Sequence, residues 1–119
     1  MSFPPLERLL HIRDEVAFLQ HCRGTYPPEK IISDAVVSRA VVRSLEIIGE
    51  ASKHLPAAWC AAYPAIPWRQ IAQMRNRLAH KYFETDFEVV LDVLNAEIDP
   101  LGETIALMLR ELPGAAGSR

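Results

Sequence analysis

The sequence predicts an all-α fold, an antiparallel up-down bundle of four to five helices, on three observations. Nine prolines punctuate the 119 residues, the apolar residues between them recur at steps of three and four, and no segment alternates apolar and polar residues in the manner of a strand. No Asn-Gly or Asp-Gly turn is present either. Proline interrupts a helix interior but is tolerated in its first turn, so Pro4, Pro5, Pro27, Pro28, Pro56, Pro64, Pro67, Pro100 and Pro113 mark off segments near 6–26, 29–55, 67–99 and 101–112.

Each segment carries an apolar stripe of helical period. Leu9, Ile12, Val16 and Leu19 form the first, with Leu6 one turn earlier. Val37, Val41, Leu45, Ile48 and Leu55 form the second, flanked by Ala40, Ile47 and Ala51. Ile71, Met74 and Leu78 begin the third, and Phe87, Val90, Leu91, Leu94, Ile98, Leu101, Ile105 and Met108 carry it on, with a kink or break predicted at Asp99-Pro100. Thr85-Asp86-Phe87-Glu88 reads as a capping box, Thr85 at the N-cap and Glu88 at N3, so a new helix should start near residue 86. Short connections favour antiparallel neighbours. One domain spans 1–112, and the Gly-, Ala- and Ser-rich residues 113–119 read as a flexible tail.

Composition excludes several classes. A chain of 13.4 kDa that is 50% hydrophobic and 24% charged buries one core and is not a disordered polymer. No apolar run is long enough to span a bilayer, and the N-terminal stretch lacks the h-region of a signal peptide, so a cytoplasmic protein without a membrane partner is expected. Cys22 and Cys60 form no CxxC pair and are expected as reduced thiols. His11, His21, His54 and the two cysteines have no recognised ligand spacing, so neither metal nor cofactor is expected.

The net charge of -2 alone argues mildly against a nucleic-acid partner, but the charges are segregated. Residues 51–83 hold Lys53, Arg69, Arg75, Arg77 and Lys81 and no carboxylate, a local +5, with His54 and His80 besides. Residues 84–111 hold eight carboxylates against Arg110, a local -7. Two readings follow: the basic stretch, with Trp68 and Tyr82 among its cations, contacts phosphates and stacks bases, or oppositely charged helices pair along their solvated edges. A second stripe, Arg39, Arg43, Glu46, Glu50 and Lys53 or His54, likewise either forms i,i+3 and i,i+4 ion pairs or lines a cleft in which Arg43 and Glu46 orient other groups.

Within the basic stretch stands Arg75-Asn76-Arg77-Leu78-Ala79-His80-Lys81-Tyr82. Arg, four residues, His, one residue, Tyr resembles the hallmark of the HEPN superfamily, specifically its HepT-like toxin branch. The resemblance extends through Glu46-Ile47-Ile48-Gly49-Glu50-Ala51, Pro67-Trp68-Arg69-Gln70-Ile71 with Met74, Asp86 and Asp99-Pro100-Leu101, and covers roughly residues 6–110. It implies a HEPN-like bundle acting as a metal-independent endoribonuclease, the toxin of a toxin–antitoxin pair. Arg75 and His80 would be its catalytic pair. The implied partners are a second copy of the chain, so that two motifs face one cleft, an RNA substrate such as tRNA or mRNA, and a minimal nucleotidyltransferase antitoxin that adenylylates Tyr82.

The residue types suit that chemistry. Imidazole, with an unperturbed pKa of about 6.5, can both take a proton from a 2′-OH and return one to a leaving 5′ oxygen, which would leave a 2′,3′-cyclic phosphate. Guanidinium gives phosphate oxygens a permanently charged fork. Asn76, Arg77 and Lys81 are candidates for binding RNA or orienting the pair, as are Arg43 and Glu46 on the preceding helix. AMP on Tyr82 would set charge and bulk beside Arg75 and His80 and repel the RNA phosphate. On one straight helix, however, Arg75 and His80 lie about 140° apart, so either the helix end distorts near His80 or a second copy completes the site. The competing class is a non-catalytic module that binds RNA or nucleotide, or docks the nucleotidyltransferase. A purely structural dimerisation bundle is a third.

Overall fold

The computed structural model describes residues 3–79 and 84–112. Among the described residues there are eight helices and no strand: α1 (Pro5–Thr25), α2 (Pro28–Ser33), α3 (Ala35–Lys53), α4 (Ala57–Ala62), α5 (Trp68–Ala72), α6 (Met74–Leu78), α7 (Phe87–Ala96) and α8 (Ile98–Glu111). The four longest, α1, α3, α7 and α8, form the bundle, and the other four are one- or two-turn pieces. Prolines set the starts as proline chemistry requires: Pro5 and Pro28 take N1 of α1 and α2, while Pro56 and Pro67 immediately precede α4 and α5.

The stripes read from the sequence form the core. Leu9, Ile12, Val16 and Leu19 of α1 are buried against Val37, Val41, Leu45 and Ile48 of α3, and against Leu101, Ile105 and Met108 of α8, with Ile71, Met74 and Leu78 closing one side. Burying each such side chain contributes about 1.5–3 kcal/mol, so the core outweighs any single polar tie described below. Helix α8 runs antiparallel to α1, because the C-terminal end of α1 meets the start of α8: Gln20 Nε2 and Arg23 Nη2 both donate to Asp99 Oδ1 at 3.0 Å, and Arg23 Nη1 donates to the Leu94 carbonyl at 2.8 Å. Gly102 lies against Val16 in the same contact; a Cβ there would stand 2.9 Å from Val16 Cγ1.

Three boundaries differ from expectation. The segment 29–55 is divided at Asp34, whose carboxylate accepts the N–H groups of Val36 and Val37, both at 2.9 Å, and so caps α3. The break near Asp99-Pro100 falls earlier, at Glu97. Pro100 has no N–H to offer the Ala96 carbonyl, so α7 ends at Ala96 and Pro100 is absorbed into the first turn of α8, where Leu101 N–H reaches the Glu97 carbonyl at 3.1 Å. The cap of α7 is Asp86 rather than Thr85: its Oδ1 accepts Val89 N–H at 3.3 Å, while Thr85 forms an isolated antiparallel bridge with Ala79. Segment 67–99 is therefore three helices, and α4 occupies a stretch with no predicted element. The tail 113–119 lies outside the described residues. No helix among them is long and apolar enough to cross a membrane.

The Gln20 and Arg23 clamp predicts an acid response. Hydrogen bonds from Gln20 and then Arg23 hold the Asp99 carboxyl below its ordinary value of 3.8. A depressed folded-state pKa gives stability that is present above the unfolded value and is lost as pH falls from about 3.8 through the lower folded value. Urea midpoints measured across this range should fall steeply for the wild type, whereas Asp99→Asn should start lower at neutral pH and show a flatter acid limb.

Candidate functional site

The motif arginine sits on α6, and its surroundings are fixed by how closely α6 approaches α3. At Gly49 of α3 a Cβ would stand 2.8 Å from Met74 Cβ and 3.0 Å from the Ile71 carbonyl oxygen, so α5 and α6 lie almost directly on the α3 backbone. Met74 is fully buried in that contact and Arg75, the next residue, is exposed. Arg75 therefore opens onto the groove beside the contact.

That groove has a volume of about 560 Å³. Arg8, His11 and Glu15 of α1 form one wall, Arg43, Glu46, Glu50 and Lys53 of α3 the next, and Arg75 of α6 the third. Two smaller hollows continue it along α3, one past Arg39 and Arg43 to Phe87, the other past Arg75, Leu78 and Ala79 to Glu84 and Thr85; Glu46 borders all three. The charged stripe of α3 forms the ion pairs of the first reading and also lines the groove. Arg43 Nη1 pairs with Glu46 Oε1 at 3.7 Å, Glu50 accepts from His54 Nε2 at 3.1 Å and pairs with Lys53 at 3.5 Å, and the same side chains face the groove. The His54 hydrogen bond, and then the Lys53 charge, hold the Glu50 carboxyl below its ordinary value.

The remaining motif positions divide. Arg77 turns the other way, donating through Nη1 and Nη2 to the two Glu97 carboxylate oxygens at 3.0 and 2.6 Å, with both side chains three-quarters covered. Those hydrogen bonds push the Arg77 pKa further up. Here the basic and acidic stretches do pair, and Arg77 ties α6 to the junction of α7 and α8. Trp68 is half-buried on the core with its indole N–H donating to the Tyr63 carbonyl at 3.0 Å, which fits packing better than stacking on a base. Asn76 is exposed on α6. Arg75 makes no ion pair among the described residues.

His80, Lys81 and Tyr82 lie outside the described residues. Their flanks are described: α6 ends at Leu78, Ala79 is extended at φ −75° and ψ 137°, and Asp86 N–H returns to the Leu78 carbonyl at 2.7 Å. Helix α6 thus ends at Leu78 and does not continue through Ala79, so the straight helix on which the 140° separation was reckoned stops there. Ala79, which precedes His80, borders the hollow that Arg75 lines. Arg8, His11 and Glu15 were not singled out by sequence reasoning, although their i, i+3, i+7 spacing places them within about 60° on α1, beside its apolar stripe. Among the described residues no group of three or more His, Cys, Asp or Glu is placed to hold a metal ion.

A small helical bundle with a mixed-charge groove and an arginine motif at its lip defines the class, and comparison with known proteins agrees. The model of the family described as Ribonuclease HepT-like matches residues 12–108. The chain belongs to this HepT-like family of the HEPN superfamily. It is 36% identical over 107 residues, 90% of this chain and 96% of the relative, to "Putative RNase TTE0752" of Caldanaerobacter subterraneus subsp. tengcongensis. It is 42% identical over 73 residues, 61% of this chain and 66% of the relative, to "Probable ribonuclease HepT" of Thermococcus cleftensis. No solved structure matches it significantly.

The Gly49 contact gives a direct test of what positions Arg75. Gly49→Ala should cost about 1–3 kcal/mol of stability, as overpacking typically does, because Met74 Cβ is bonded directly to the backbone and is not a flexible tip. Chemical denaturation measures it; Ala51→Gly, a change on the same helix that creates no clash, serves as the comparison and should lack any overpacking signature such as shifted α6 amide resonances.

Proposed function

We propose that this protein is an endoribonuclease toxin that works without a metal, cutting RNA with Arg75 and His80. The observation that carries the reading is the position of Arg75: a guanidinium without an ion pair among the described residues, at the lip of a mixed-charge groove whose other cations Arg43 and Lys53 are paired with Glu46 and Glu50. The relatives named as ribonucleases support it. So does the end of α6 at Leu78, with Ala79 bordering the hollow that Arg75 lines.

In this reading Arg75 grips the non-bridging oxygens of the scissile phosphate and stabilises the charge that grows on them as the 2′ oxygen attacks. His80 takes the 2′-OH proton, then a protonated imidazole delivers one to the departing 5′ oxygen, leaving a 2′,3′-cyclic phosphate and a free 5′-OH. If one imidazole does both, it acts as base first and acid second; if two copies share the cleft, each His80 takes one task. We place the site at a homodimer cleft, with Arg43 and Glu46 aligning the phosphate from α3. Asn76 and Lys81 add contacts to the RNA backbone, whereas the tie of Arg77 to Glu97 gives that residue a structural duty. A nucleotidyltransferase antitoxin silences the toxin in the cytoplasm by transferring AMP to the Tyr82 hydroxyl, which crowds the phosphate path with negative charge.

Purified protein incubated in EDTA with a panel of RNAs, tRNA included, should yield fragments ending in 2′,3′-cyclic phosphate. His80→Ala and Arg75→Ala should each reduce the rate by about 10²–10⁴-fold, the usual range for loss of a proton-transfer group. Wild type cleaving no better than His80→Ala would leave a binding module in place of an enzyme. Mixing the two inactive variants tests the shared cleft in the same assay. If one Arg75 from one copy and one His80 from the other suffice, mixed dimers contain that pair and activity returns; no return would mean that each chain holds its own pair or that both His80 imidazoles are required.

A further inference from the structure

The α1 wall of the groove, with Arg8, His11 and Glu15, has no part in that chemistry. Arg8 and His11 both line the groove, and both are ordered by one aromatic ring: the Arg8 guanidinium carbon lies 5.3 Å from the Phe3 ring centroid, and the His11 ring meets Phe3 edge to face at 4.8 Å and 86°. Arg8 Nε is covered and has no hydrogen-bond partner among the described residues. The other cations of the groove are differently placed. Arg43 and Lys53 are engaged by Glu46 and Glu50, which leaves Arg8 and Arg75, on opposite walls, as the arginines without an ion pair among the described residues. Glu15, one turn beyond His11, is the acidic neighbour on the α1 wall. Phe3 itself is 53% exposed at the lip, and an exposed aromatic beside cations is the arrangement with which proteins hold single-stranded nucleic acid.

We propose that Arg8 and His11, held by Phe3, form a second phosphate subsite, so that the groove grips an RNA chain at a phosphodiester other than the one being cut. This rests on the ribonuclease reading and deepens it: the substrate is a single-stranded segment several nucleotides long, gripped on both walls, and a lone dinucleotide reaches only the Arg75 side. Arg8 acts in binding and takes no part in the bond-breaking step.

The test compares a dinucleotide, which has one phosphodiester, with a single-stranded decamer, using wild type, Arg8→Gln, Arg8→Lys and Arg13→Gln. Arg13 is exposed on α1, paired with Asp14, and does not line the groove. For Arg8→Gln, kcat/KM on the decamer should fall about 5–10-fold while cleavage of the dinucleotide stays within about twofold, and the slope of log affinity against log salt should shrink by about 0.7, one phosphate's worth for a single strand. Arg8→Lys should keep the slope, and Arg13→Gln should match wild type. Equal decamer activity and slope in Arg8→Gln would overturn the subsite. An equal loss on both substrates would also overturn it, placing Arg8 at the reacting phosphate or in the fold. A weaker self-association of Arg8→Gln at unchanged salt slope would overturn it in favour of a second copy lying on this wall. If wild type cleaves neither substrate, the ribonuclease reading itself has failed, a result distinct from all of these.

Discussion

The close approach of α3 to α5 and α6 at Gly49 is the constraint on which the site depends. Every other residue type carries a Cβ, and there it would meet Met74 and the Ile71 carbonyl inside van der Waals contact. With the hydrogen of glycine, Met74 sinks fully into the core and its chain neighbour Arg75 is carried to the groove next to Glu46. The charged stripe of α3 and the motif arginine, nearly thirty positions apart in the chain, become one surface because a side chain is missing between them. The clamp of Gln20 and Arg23 on Asp99 works at the other end of α1, fixing that helix against α7 and α8 so that Arg8 and His11 face α3.

Charge segregation along the chain is resolved by helix geometry. Arg75 and Arg77 are two residues apart and so point about 160° from each other. One meets Glu97 and closes the fold; the other meets the groove. The two arginines differ in what solvent and ligand can reach. Arg77 is held in a bidentate pair whose desolvation is offset by its hydrogen bonds, which makes it costly to withdraw for any other task. Arg75 has no such partner among the described residues and lines the groove.

Much of this was legible before any coordinates. The apolar stripes required only helical period, and most of their members are buried, from Leu9 to Met108, although Phe87 and Leu91 are only partly buried and Val93, outside the stripe as read, is fully buried. The prolines marked the helix starts because a missing N–H acts locally. Where two local signals competed, the reading was less sharp: the proline-bounded segment 29–55 runs straight through Asp34, and its capping carboxylate became visible only with the backbone in place. The capping-box pattern pointed one residue early, because Thr85 is drawn into a bridge with Ala79 and leaves the cap to Asp86. Pro100 was recognised as a disruption, but its effect is felt four residues back, at the carbonyl it cannot serve. The site was half legible. Arg75, Arg43 and Glu46 could be named from motif and spacing, whereas Arg8 and His11 could not, since on α1 they are one more pair of polar residues and acquire meaning only from α3 and α6 across the groove. The angular objection to Arg75 and His80 assumed a helix that continues; α6 ends first.

The central claim is that RNA lies along the groove between α1, α3 and α6, and chemical-shift mapping tests it most directly. A decamer RNA with a 2′-deoxy sugar at the cleavage position is titrated into isotopically labelled protein under binding conditions, so that the complex forms without being cut. The account predicts that the perturbed amides and side chains cluster at Arg8, His11, Arg43, Glu46 and Arg75, with little change on the outer face of α8 at Glu103 and Arg110. Perturbations centred on α8 or α2, with α3 and α6 silent, would contradict it.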